Sequence, residues 1–226
     1  MAASGLALIA LKSDKDRATV TNELVKLLSS SKEAVRQRAA EALTDMAAGE
    51  GSHTKHRQGN QNANGVPLVN LLKDGLKDGR VEAQEYALRS LLAISDNSAK
   101  EAIVEAGCIV PLIETLRQGK LSAVAQEHAA AVVSGLAPLG RNALAIHRAG
   151  GIDPLVLLLS TGTAEAKAHA AASLAQLARR ASAASQIAQA GAVSAFVRWL
   201  ADPSLGPSEV AARALAEIAL DNPDTQ

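Results

Sequence analysis

A chain of 226 residues that is 48% hydrophobic but only 1% aromatic must build its core from alanine, leucine, isoleucine and valine. Its 23 basic and 23 acidic residues cancel, with 14 basic against 12 acidic over residues 1–100 and 9 against 11 over the rest. That balance gives no basic footprint for phosphates and no aromatic platform for bases, so nucleic acid is excluded as an expected partner.

Residues 1–19 read as a partial or capping helix. Gly5–Leu11 (GLALIAL) matches Ala214–Leu220 (ALAEIAL) at five of seven positions. The chain thus reads as opening inside the third helix of an earlier repeat, either as a piece of a longer protein or as a helical cap. Leu6–Leu11 is too short for a signal-peptide core and has no basic residue before it. Residues 20–48 form a first unit that lacks a short helix. Within it, Ser29–Lys32 matches S-x-x-K only as a string and is read as the turn between two helices. Residues 49–62 (GEGSHTKHRQGNQN) read as a polar, mobile loop. The pair His53 and His56 sits there with no third or fourth ligand nearby, so no metal is expected. Asn60 occupies the place that Ile103, Ile146 and Ile187 hold later, and leaves the segment without an apolar anchor.

From there the chain repeats. An Ala-Gly step followed by an apolar run begins at Ala106 (AGCIVPLIETL), Ala149 (AGGIDPLVLLL) and Ala190 (AGAVSAFVRWL), with a weaker copy (ANGVPLVNLL) from Ala63. The starts lie 43, 43 and 41 residues apart, a period expected of helical solenoid repeats. A second series, anchored at Leu43, Leu91, Val133, Leu174 and Leu215, runs in step at spacings of 48, 42, 41 and 41. The units are 63–96, 97–139, 140–180 and 181–222, followed by a polar tail at 223–226.

Each complete unit resolves into a short helix and two longer ones. In the last, Ala181–Ala190 is the short helix, Gly191–Asp202 the second and Pro207–Leu220 the third, with Ala211, Leu215 and Ile218 as its buried stripe. Gly107, Gly150 and Gly191 close the short helices and are expected to have positive φ, with Asn64 in the same role in the weak copy. Cys108, the single cysteine, permits no internal disulfide and no four-cysteine zinc site; it reads as a small apolar residue in a helix-linking turn. Phe196 and Trp199 fall where Leu155 and Leu158 stand one unit earlier, and are read as core. No apolar run reaches the length of a membrane span. No phosphate-binding loop, dinucleotide fingerprint or nucleophile elbow occurs. No catalytic residue, cofactor or small-molecule substrate is therefore expected, and the expected location is the cytoplasm, with the nucleus second.

The signatures AGG-(I/V)-x-x-LV-x-LL and AA-x-AL-x-x-LA, over about residues 20–220, resemble the armadillo repeat. The resemblance implies an all-α, right-handed superhelix of about five repeats, whose third helices line a concave groove for an extended peptide or a partner helix. Aligning the repeats gives three rows along that face. They are Arg38, Tyr86, His128, His169 and Val210; then Glu41, Arg89, Ala131, Ala172 and Arg213; then Asp45, Ala93, Gly135, Gln176 and Glu217. The expected contact surface is Tyr86, His128 and His169 with Arg89 and Gln176, beside a floor of Ala131, Gly135 and Ala172. Polar ends flank it: Arg38, Glu41 and Asp45 at one, Arg213 and Glu217 at the other. Importin-alpha-type arrays carry tryptophan in the second row and asparagine in the third, and this chain has neither. The leading expectation is a protein-interaction scaffold. The alternatives are an importin-alpha-like cargo receptor, or the substrate-reading region of a ubiquitin ligase or signalling protein.

Overall fold

A computed structural model of the chain describes residues 19–20, 23–24, 26–28, 30, 32, 34–36, 38–39 and 42, and then 62–220 apart from 79–80, 95–96, 119–120, 140, 182 and 202–207. Every regular element among them is an α-helix. The readings placed on Gly5–Leu11, Glu41, Asp45, His53, His56 and Asn60 lie outside these residues. The chain divides into two compact units at Cys108 and Ile109, which are described in turn.

In the first unit, helical residues between Thr19 and Ala42 bury Val20, Leu24 and Leu28 at intervals of one turn. Within the S-x-x-K stretch, the Ser30 hydroxyl accepts the Lys32 N–H at 3.3 Å, and the Ser30 carbonyl accepts Arg36 Nη1 at 3.0 Å. The helices α1 (Asn62–Asp78), α2 (Val81–Leu92) and α3 (Asn97–Glu105) follow. Helix α1 packs on both α2 and α3, through Leu68, Val69, Leu71 and Leu72 against a face that includes Ala87, Leu88, Leu91 and Ile103. Gln84 Nε2 donates to the Gly75 carbonyl at 2.9 Å, which satisfies one buried amide donor.

One expectation fails here. Asn64 does not form a turn; it lies within α1, which runs unbroken from Asn62. The left-handed conformation costs a non-glycine residue about 1–2 kcal/mol, and continuing the helix avoids that cost.

The second unit contains α4 (Ile109–Gln118), α5 (Ala123–Leu136), α6 (Asn142–Arg148), α7 (Ile152–Thr161), α8 (Ala164–Ala181), α9 (Ala184–Gln189), α10 (Ala192–Ala201) and α11 (Ser208–Leu220). Its third helices pack in order, α5 on α8 and α8 on α11, and its second helices do likewise, α4 on α7 and α7 on α10. Hydroxyl caps start two of the third helices. The Ala125 N–H donates to Ser122 Oγ at 3.2 Å, and the Ala166 N–H to Thr163 Oγ1 at 3.1 Å. The Thr163 hydroxyl also donates to Glu127 Oε2 at 2.7 Å, tying the start of α8 to α5. Asn142 Nδ2 donates to the Leu136 carbonyl at 3.1 Å and so closes the end of α5.

Phe196 and Trp199 are core residues, fully buried and stacked with ring centroids 6.4 Å apart. The stripe on the last helix differs from the one expected. Ala211, Ala214 and Ile218 are buried, and Leu215 is only half-buried. Helices α8, α9 and α10 are what α11 packs on, and they cover its Ala214 side. Among the described residues, no single helix is long and apolar enough to cross a membrane.

Candidate functional site

Alanine has the highest helix propensity, and its small side chain lets helices approach closely. The side-by-side packing of α5, α8 and α11 therefore gives a surface whose relief comes from a few larger residues. His128, His169 and Val210 form one row, all half-buried. Beside them Ala131 is buried, Ala172 half-buried and Arg213 exposed, and the third row of Gly135, Gln176 and Glu217 is half-buried. Gln176 is not isolated: its Oε1 accepts Arg179 Nη2 from the next turn at 3.0 Å.

Tyr86 and Arg89 belong to the first unit, where α2 brings them together. The Arg89 guanidinium sits 5.9 Å from the centre of the half-buried Tyr86 ring, within reach of a cation–π contact. Arg38 is exposed. Glu41 and Asp45 lie outside the described residues. The structure thus pairs Tyr86 with Arg89, and sets His128 and His169 on neighbouring helices.

A second set of contacts, not anticipated from the sequence, lies where each short helix ends. Gly107, Gly150 and Gly191 have φ of 79°, 72° and 89°, as expected. At the first two, the glycine N–H bonds to Val104 and His147, while the N–H of the next residue reaches Ile103 and Ile146. This is the paired closure of a Schellman motif.

The carbonyls exposed at these ends draw in cations, which the helix dipole favours. Lys73 Nζ donates to the Ala106 carbonyl at 2.7 Å. Arg117 Nη2 donates to the carbonyls of Ala149 at 3.2 Å and Gly150 at 3.0 Å, and its Nη1 is held by Glu114 at 3.0 Å. Aligned on the repeat, the next residue in the column is Ser160, which is too short to reach across. There a cavity of about 310 Å³ opens, bounded by Asp153, Leu157, Ser160, Ala190, Gly191 and Arg198. A neighbouring one of about 420 Å³ shares Asp153 and Ala190, and is lined also by His147 and Gln186. Those two side chains meet through His147 Nε2 and Gln186 Oε1. The signal for this column was present in the sequence as a basic residue six places after the proline of successive second helices, Lys73 after Pro67 and Arg117 after Pro111.

Cys108 closes the end of α3 and is fully buried. Burial pushes its thiol up to about 12, against smaller opposing effects of a backbone hydrogen bond and the Lys73 ammonium. A thiol held protonated in this way is a poor nucleophile, which agrees with its reading as a packing residue. Among the described residues no group of three or more metal-ligating side chains comes together.

No protein-family model and no curated protein sequence matches the chain. Solved structures do. An engineered protein is 29% identical, over 98% of this chain and 90% of that one, with a TM-score of 0.70. A second engineered protein is 32% identical, with a TM-score of 0.70; it is matched over 96% of this chain, which spans 53% of its length. A computationally designed armadillo repeat protein for modular peptide recognition is 25% identical, over 98% of this chain and 92% of that one, with a TM-score of 0.71. In fold, the chain is an armadillo repeat protein.

Proposed function

We propose that the chain is a non-catalytic protein-interaction scaffold that receives an extended peptide or a partner helix along its third helices. The supporting observation is the ordered packing of α5, α8 and α11. On that face His128, His169, Gln176 and Arg213 stand over the small residues Gly135 and Ala172. Small floor residues admit bulky partner side chains, while tyrosine and arginine, here Tyr86 and Arg89, are side chains often found as binding hot spots. Likeness to a protein designed for modular peptide recognition supports the class of partner. In the repeat alignment Arg38, Glu41, Asp45 and Glu217 belong to the same rows.

Peptides selected from a random display library provide the test, with affinities measured on purified variants. The pair His128→Ala with His169→Ala, and separately Tyr86→Ala with Arg89→Glu, should each weaken a selected peptide by about tenfold or more, with the helical signal unchanged. Lys167→Glu, off these rows, should leave affinity within a factor of two. Equal losses from Lys167→Glu and from the row variants would reject the third-helix surface.

A further inference from the structure

The repeat contains its own control for the cavity beside Gly191. In the two preceding junctions a cationic side chain of the second helix fills the equivalent space. A Cβ built on Gly107 would meet Lys73 Nζ at 3.4 Å, and one built on Gly150 would run into Arg117 Nη2. At Gly191 nothing lies within 4 Å. The pair that serves the middle junction, Glu114 with Arg117, is replaced in the repeat by Leu157 with Ser160. Leu157 is 57% exposed, although it ends a turn that begins with a carboxylate, Asp153. The Asp153 and Arg198 side chains make no hydrogen bond or ion pair among the described residues.

We propose that this place is a socket for an arginine side chain of a protein partner, docked on the second-helix surface rather than along the third helices. The guanidinium takes the position that Arg117 occupies one unit earlier, donating to the Ala190 carbonyl and to the second lone pair of the Gly191 carbonyl, which also accepts the Ala195 N–H at 3.2 Å. A planar fork can address two adjacent carbonyls together, as Arg117 does at Ala149 and Gly150. Asp153 supplies the carboxylate in place of Glu114, and Leu157 packs the aliphatic stem, which arginine readily lays along apolar surface. The α9 terminus adds the negative end of its dipole. Arg198, on the α10 wall, is the one opposing charge among the described lining residues, and it sets the partner's approach to the Asp153 side.

The test uses the full chain and the probe acetyl-Ala-Ala-Arg-Ala-Ala-amide, followed by backbone amide NMR. Saturable shifts are expected at Ala190 and Gly191. Lysine in the peptide should give weaker shifts, and citrulline none. Asp153→Asn should weaken binding about tenfold, the loss of one charge-assisted bond, and Arg198→Ala should strengthen it. Ser160→Arg should refill the socket from within, abolish the shifts, and raise the melting temperature by about 2–4 °C, the change expected for 1 kcal/mol in a chain of this size.

Shifts at Gly191 that persist in Ser160→Arg would overturn the proposal, as would their absence in the parent chain. A Gly191 signal that moves on Arg198→Ala alone, without peptide, in a parent that the peptide does not shift, would show that Arg198 fills the socket itself. Shifts confined to His128, His169 and Ala172 would reject the socket while leaving the third-helix reading intact.

Discussion

The junctions at Gly150 and Gly191 share a left-handed glycine and a short helix ending against a second helix, yet they differ in what fills the space outside the turn. At Gly150 the Arg117 guanidinium bridges two carbonyls and is itself held by Glu114. At Gly191 the column offers Ser160, and about 310 Å³ stands open. The backbone geometry is therefore set by glycine and the helix-closing bonds, and does not depend on the cation. The cation is an added layer, which repeats can carry or lose without changing fold. A position free to vary in that way is where one repeat can acquire a task that its neighbours lack.

The strongest way to break the comparison is to add one methyl group to each glycine. Both replacements incur the left-handed penalty of about 1–2 kcal/mol. Gly150→Ala must also displace Arg117, whose Nη2 the new Cβ would meet, so its total should reach about 1.5–3 kcal/mol once the lost hydrogen bonding is added. Urea midpoints should rank parent, Gly191→Ala, then Gly150→Ala. Equal midpoints for the two variants would show that Arg117 contributes nothing.

The third junction sharpens the comparison through Cys108, beside the Lys73 contact. Its folded thiol titrates near 12, above the ordinary value of about 8.5. The raised value means that stability is complete below the unfolded pKa and falls as pH climbs towards 12. Between pH 9 and 10 the folded-to-unfolded ratio should drop roughly tenfold relative to Cys108→Ala. Urea titrations of both chains across that range supply the check. Parallel pH profiles would mean that the thiol is not buried in solution.

The smallest effect is expected from Arg117→Ser, which converts the middle junction into the last. The Arg117 side chain is 43% exposed, so solvent discounts its contacts and the loss should be about 0.5–1 kcal/mol. Hydrogen exchange at Gly150 and Gly151 should accelerate while that at Gly191 stays unchanged. A change at Gly191 instead would mean that the two junctions are energetically coupled.

Much of this fold was legible from spacing. The Ala-Gly steps located the three positive-φ glycines among the described residues, because only a residue without Cβ adopts that conformation freely. The aligned leucine columns likewise placed Phe196 and Trp199 in the core. The failures have physical causes as well. Asn64 was read by analogy with glycine, but its Cβ makes the left-handed turn less favourable than continued helix. Ala214 and Leu215 both face roughly inward, and periodicity cannot tell which one a neighbouring helix covers. The rows at Tyr86, His128 and His169 came from alignment alone, and the packing of α5, α8 and α11 adds the order of the helices that carry two of them. The cation column was missed because Lys73 and Arg117 looked like ordinary solvated helix residues. The reach of a long side chain to a carbonyl 32 or 33 residues later has no local signature.

The scarcity of aromatics has a practical consequence. The chain has one tyrosine and one tryptophan, and they fall in different compact units, Tyr86 before Cys108 and Trp199 after it. Each half therefore carries its own intrinsic fluorophore. Indole emission excited at the red edge follows the second unit alone, and the tyrosine ring resonances in a proton NMR spectrum follow the first, where Arg89 lies over the ring. Two melting curves recorded from one unlabelled sample would show whether the halves unfold together or in sequence.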